Sequence, residues 1–104
     1  MINGAAMNLQ FGKMYLVKQY FWCLFPTKEL AVEGDVRVTE AGASREAKYF
    51  SEHYKCNVSV VEENTYVVLL EQDKNFCFKV LDSNVNIGWI WCTDFSGYFE
   101  LVKE

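Results

Sequence analysis

The sequence is short of the residues that staple or punctuate a fold. It has one proline, Pro26, one histidine, His53, and no Cys-x-x-Cys pair among Cys23, Cys56, Cys77 and Cys92. A zinc site takes about four converging ligands, and a cysteine nucleophile takes a base in contact with it. His53 and Cys56 supply half of either arrangement and complete neither, so no metal, cofactor or catalytic residue is expected, and the protein reads as non-enzymatic. Basic residues are scarce too: 10 Lys and Arg stand against 14 Asp and Glu, a net charge of −4. Nucleic-acid-binding surfaces carry clustered Lys and Arg, and none are clustered here, so nucleic acid is not an expected partner. An acidic surface suits solubility and can also steer a basic partner.

Long apolar runs are missing as well. The longest, Met14–Phe25, is interrupted by Lys18 and Gln19. It is too short to cross a bilayer and comes too late for a signal-peptide core. No basic residue precedes the first apolar residues of MINGAAMNLQFGK. The expectation is a cytoplasmic protein with no membrane partner and four reduced, mostly buried thiols rather than two disulfides. No internal repeat or low-complexity stretch appears.

What is present is core material. Of 104 residues, 51% are hydrophobic and 16% aromatic, which fits one folded domain and excludes a disordered chain. Residues 1–13 have no clear period and read as a flexible tail, leaving one domain over 14–104. Met14–Phe25 is dense in aromatic and β-branched residues and predicts an N-terminal strand ended by Pro26. A weaker strand is expected within Leu30–Val38, interrupted around Gly34–Asp35. From about Ser44 to Lys55 the pattern turns helical. Ser44 is the expected N-cap, Glu46 lies in the first turn, and Ala43, Ala47, Phe50 and Tyr54 form one apolar stripe. Asn57–Glu63 alternates like a strand.

From Thr65 to Val102 the chain reads as an antiparallel meander. Four apolar runs, Tyr66–Leu70, Phe76–Leu81, Ile87–Cys92 and Tyr98–Val102, are separated by the polar segments Glu71–Asn75, Asp82–Asn86 and Thr93–Gly97. The predicted order is β-β-α-β-β-β-β-β. The fold class is mainly β (α+β), a curled antiparallel sheet with one helix, about residues 44–55, and an extra N-terminal strand.

Gly88, Trp89 and Ile90, followed by Tyr98, Phe99, Glu100, Leu101 and Val102, resemble the second half of an SH3-like small barrel. In that family a strand with a Gly-Trp-Ile type motif is followed by a short helical turn and a last strand reading Tyr-x-Glu-Leu-Val. The resemblance covers about residues 65–102. It implies a small barrel, a groove at this end of it and a buried Ile90. Asn75 and Phe76 stand at the family's paired-aromatic position, and Trp91 stands where proline is usual.

Strand parity sets Trp89 and Trp91 on one face and Ile90 and Cys92 on the other, and it puts Phe76, Phe78 and Val80 together. If Ile90 points inward, the two tryptophans form an outward pair. Two readings of that pair stay open. It is either a surface joined by Phe95 and Tyr98, or a second core covered by the helix or the N-terminal strand. The first makes the protein an interaction module binding a protein or peptide through Trp89, Trp91, Phe95 and Tyr98, rimmed by Asp73 and Asp94. The alternative is a small acidic inhibitor or immunity-type protein that binds a basic partner through Glu62, Glu63, Glu71 and Asp73. A third reading, a cysteine enzyme, needs an exposed thiol of low pKa near His53.

Overall fold

The computed structural model describes residues 9–103. Seven strands and three helices follow in the order β1 (Met14–Val17), β2 (Trp22–Leu24), α1 (Lys28–Ala41), α2 (Ala47–Tyr54), β3 (Ser59–Val61), β4 (Tyr66–Asp73), β5 (Cys77–Asp82), β6 (Ile87–Trp91), α3 (Phe95–Tyr98) and β7 (Phe99–Leu101). Five strands form an antiparallel sheet in the order β6-β5-β4-β1-β7, and β2 pairs with β3 in a small second sheet. The protein is therefore a mainly β, α+β domain. The large sheet is open, with β6 and β7 at opposite edges, so the expected curled sheet is present and a closed barrel is not.

The meander falls where the alternation and the polar breaks put it, with boundaries shifted by at most three residues. A register shift between Leu69 and Glu71 leaves Leu70 unpaired with β5, and such a bulge adds bend to a sheet. Asp82 builds the β5–β6 hairpin. Its carboxylate accepts from the Asn84 and Asn86 N–H groups at 2.9 and 2.8 Å and from the Asn86 side-chain amide at 3.1 Å. The same hairpin holds Val85 at φ 64° with the side chain 81% exposed. A β-branched residue there is strained by about 1–2 kcal/mol and nothing packs on it in return. Val85→Gly should raise the unfolding free energy by about 1 kcal/mol, read from paired denaturant melts; an unchanged or lower midpoint would show that the loop is not strained.

Three expectations are corrected. Met14–Phe25 is not one strand, because the chain turns at Lys18–Phe21, with Tyr20 at φ 65° and the Lys18 N–H bound to the Tyr98 carbonyl at 2.9 Å. Leu30–Val38 is not a strand but the middle of α1, so helix 44–55 is not the only one. Thr27 caps α1, its hydroxyl accepting from the Leu30 N–H at 3.2 Å, and Gly42 ends it in the left-handed region at φ 68°. Leu30, Ala31, Gly34 and Val38 form the stripe that α1 turns inward. Finally, α2 starts at Ala47, and its N-cap is Glu46 without a side-chain bond. Ser44 instead accepts from the Glu46 N–H at 3.2 Å ahead of the helix, and Ala43 drops out of the stripe while Ala47, Phe50 and Tyr54 stay in it. Thr27→Ala should consequently cost about 1 kcal/mol in a thermal or denaturant melt and Ser44→Ala almost nothing; equal losses would contradict the assigned caps.

The expected tail over 1–13 lies outside the described residues up to Asn8. From Leu9 on, the chain lies against the sheet: Leu9 packs on the core, and the Gly12 N–H donates to the Leu69 carbonyl at 2.7 Å. Among the described residues, no helix is long and apolar enough to cross a membrane.

The core has two parts separated by the large sheet and β2. The inner part gathers Tyr15, Val17, Leu24, Val61, Val67, Leu69, Phe78, Val80, Ile90, Cys92, Phe95 and Phe99. Phe95 stacks on Phe99 at 4.3 Å and on Phe78 at 4.6 Å. The outer part lies under α1 and α2 and is centred on Phe25, Ala31, Phe50 and Val58. Phe25 holds the two together. It makes the one bridge between β2's end and β6, exchanging N–H···O bonds with Trp89 at 2.9 and 2.7 Å. The bridge crosses Gly88 so closely that a Cβ there would stand 2.9 Å from the Phe25 carbonyl oxygen.

Candidate functional site

Beyond the Phe25–Trp89 bridge, β2 and β6 stop pairing, and a cleft of about 520 Å³ opens between them. Ile90 and Cys92 lie at its floor. Tyr20, Phe21, Trp22 and Tyr98 line it together, Trp91 and Thr93 line it from the end of β6, and α1 lines it through Ala31, Gly34, Asp35 and Val38. Ladder geometry turns the Trp91 N–H and carbonyl the same way as those of Trp89, toward β2 and therefore into this opening.

The aromatic wall is built by packing. Tyr20 and Trp22 both lie against Tyr98, with ring centroids 5.5 and 5.4 Å apart, and Trp22 also rests on buried Phe99 at 5.3 Å. The Trp22 indole N–H is bound to the Gln19 carbonyl at 3.0 Å, which fixes its rotamer. Tyr20 and Phe21 remain exposed at the mouth. Tyr20 is a tyrosine held at positive φ beside a large cleft, and backbone strain of this kind gathers where a side chain must be presented.

Few polar groups enter the cleft. Burial raises the Asp35 carboxyl above its ordinary range, and the Arg45 charge partly opposes the rise. Burial likewise pushes the Cys23 thiol up to about 11 against the pull of Arg45, and Cys23 lies 3.3 Å from the Arg45 carbonyl. Apolar aromatic walls with a few placed polar groups are the usual makeup of a binding cleft.

The residues anticipated for the interaction surface are divided. Trp91 and Tyr98 line the cleft. Phe95 does not belong to any surface: it is 3% exposed, because α3 turns it inward onto Phe99 and Phe78. Trp89 is half-buried on the outer face, with the Lys28 and Lys79 ammonium groups each 5.9 Å from its ring. Asp73 is held by Lys28 at 3.5 Å and Glu71 by Lys79 at 3.6 Å. Asp94 serves as the cap of α3, accepting from the Gly97 N–H at 3.2 Å. The tryptophan pair is thus partly covered, and the covering element is α1 together with α2. Phe78 and Val80 share the inner face as expected, whereas Phe76, at φ 63°, is exposed and meets Trp91 edge-on at 6.5 Å.

Sequence reasoning missed Tyr20, Phe21, Trp22, Asp35 and Arg45. A continuous strand would have alternated the first three between faces, and the turn at Tyr20 gathers them instead. The acids named for an inhibitor do not converge. Glu62 and Glu63 precede β4 and Asp73 ends it, so a strand of about 25 Å separates them.

His53 is exposed on α2, stacked on Tyr49 at 5.6 Å and edge-on to Tyr54 at 4.9 Å. Among the described residues, no group of three or more His, Cys, Asp or Glu is placed to hold a metal ion. All four cysteines are free; Cys77 and Cys92 are buried, and Cys23 and Cys56 half-buried. Burial raises the Cys92 thiol to about 11 and raises that of Cys77 as well. Cys23 and Cys92 should react with iodoacetamide far more slowly at pH 8 in the folded protein than after unfolding, by mass-spectrometric counting of labelled sites; rapid labelling of either in the native state would contradict these environments.

Compared with family models, curated proteins and solved structures, the chain matches none.

Proposed function

We propose that this protein is a non-enzymatic interaction module that takes a peptide segment of a protein partner in the cleft between β2, β6, α1 and α3. The observation that carries this reading is the aromatic wall of Tyr20, Trp22, Tyr98 and Trp91 around an opening of about 520 Å³. Tyrosine and tryptophan give large contact area at low entropic cost, which is why they dominate binding hot spots. The raised thiols support the non-enzymatic side, since little thiolate forms near neutral pH.

The SH3-like resemblance belongs to the same proposal. Its support is the meander β4-β5-β6, the short helix α3 and then β7 returning beside β1. The groove implied at the Gly-Trp-Ile end corresponds to the cleft, with α1 and α2 inserted between β2 and β3. A cytoplasmic setting, without membrane or nucleic-acid partner, completes the reading; its support on the nucleic-acid side is that the ten Lys and Arg are scattered against 14 Asp and Glu.

Selection from a displayed random peptide library tests it. Enriched peptides should lose at least about tenfold in affinity on Tyr20→Ala or Trp91→Ala, a change of about 1.4 kcal/mol, and keep it on Ile87→Ala, outside the cleft. Binding indifferent to both cleft variants, or a selection that enriches nothing, would contradict the proposal.

A further inference from the structure

β6 is an edge strand of the large sheet, and at Trp91 that edge turns an unpaired backbone N–H into the cleft. On the β5 side, Ile90 pairs with Phe78, and the Cys92 N–H donates to the Phe76 carbonyl at 2.9 Å. Trp91 stands between these two residues, so its N–H and carbonyl point the other way, off the sheet. Trp89 points off the sheet as well and is satisfied there by its two bonds to Phe25.

Beyond Trp89 the pairing stops. Continuing the register of the Phe25–Trp89 bridge sets Cys23 opposite Trp91. A bond from the Trp91 N–H to the Cys23 carbonyl would extend that bridge into a ladder, and the bridge is isolated. β2 pairs instead with β3, through Trp22–Val61, Cys23–Val60 and Leu24–Ser59. Among the described residues, the Trp91 N–H therefore has no backbone partner. An unpaired edge is a template for a further strand, and this one faces a walled opening rather than bulk water. The walls lie on both faces of the sheet. Trp22, Tyr98, Ile90 and Cys92 belong to the inner side, and α1 lines the outer side through Val38 and Asp35.

Resting on the reading of the cleft as a peptide site, we propose that the bound segment is an extended strand added to the edge of β6, with one of its carbonyls accepting from the Trp91 N–H. Main-chain bonds then supply affinity, and alternate side chains supply specificity. In an extended segment laid along β6, successive side chains point to opposite faces. One set meets the aromatic wall of Trp22 and Tyr98 and is apolar. The other set runs along α1 beside Val38 and Asp35. A helical segment fits the same volume less well chemically, because its interior carbonyls are taken up by its own N–H groups and leave Trp91 without an acceptor.

Backbone amide exchange of the full chain tests this, followed by NMR with and without the tightest peptide enriched from the displayed library. In the free protein the Trp91 amide should exchange fast, and the Trp89 amide slowly because Phe25 holds it. At saturation the Trp91 amide should slow at least about tenfold while that of Trp89 stays slow. Single N-methylation along the synthetic peptide should weaken binding about tenfold or more at alternate positions and little at those between. The enriched sequences should carry apolar residues at every second position. A peptide that depends on the Tyr20 and Trp91 side chains, yet leaves the Trp91 amide fast or accepts N-methylation everywhere, overturns the added strand and leaves the cleft reading standing. A Trp91 amide already slow in the free protein does the same. A selection that enriches nothing overturns both.

Discussion

Ile90→Ala should lower the unfolding free energy by about 2–5 kcal/mol, whereas Trp91→Ala should lower it by about 1–2 kcal/mol. Ile90 is 1% exposed and sits among Leu24, Val80 and Phe78 in the inner core, so its truncation leaves a cavity that the curled sheet cannot close. Trp91 is one position away on the opposite face and half-buried, with one side open to the cleft. Denaturant melts of the two variants read the difference directly. A larger loss for Trp91→Ala would mean that the strand presents its other face to the core.

Phe25→Ala should be more damaging still, at about 3–5 kcal/mol, because this ring belongs to the outer core while its backbone joins β2 to β6. The helix above is fitted to it. A Cβ at Gly34 would stand 2.6 Å from the tip of the Phe25 ring, closer than van der Waals contact permits. Gly34→Ala should therefore destabilise the wild type by about 1–3 kcal/mol, despite the gain of about 1 kcal/mol that alanine brings to a helix interior. In the Phe25→Ala background the obstacle is gone and the same substitution should become stabilising. A Gly34→Ala protein as stable as the wild type, or additivity between the two changes, would show that the ring and helix are not in this contact.

That contact also explains which parts of the fold could be read from residues alone. The meander was legible because period-two alternation, turn chemistry and strand length agree over residues 65–102, and each strand's inner face follows from parity. α1 was not, because its inward stripe is built from Ala31 and Gly34 with Leu30 and Val38, which gives little amphipathic contrast. Val32, Val36 and Val38 also suggest a strand, and Gly34 suggests a break. The reason for Gly34 is the approach of Phe25 from another element, which no local pattern encodes. Thr27 directly after Pro26, and Gly42 fifteen residues on, were the readable start and stop. The cleft was half legible for the same reason. Trp91 and Tyr98 follow from the meander, whereas Tyr20, Phe21 and Trp22 reach the site through a turn inside what alternation treats as one strand. Asp35 and Arg45 arrive on or beyond a helix that pattern assigned elsewhere.

The three tryptophans give the most direct test of the cleft as the binding site, since Trp22 and Trp91 line it and Trp89 lies outside under its two lysines. Their indole N–H signals, assigned by single Trp→Phe substitutions, can be followed by NMR while a library-selected peptide is titrated. The Trp22 and Trp91 signals should shift together with one saturation curve, and the Trp89 signal should stay in place. A shift confined to Trp89, or binding that moves none of the three, would contradict the assignment.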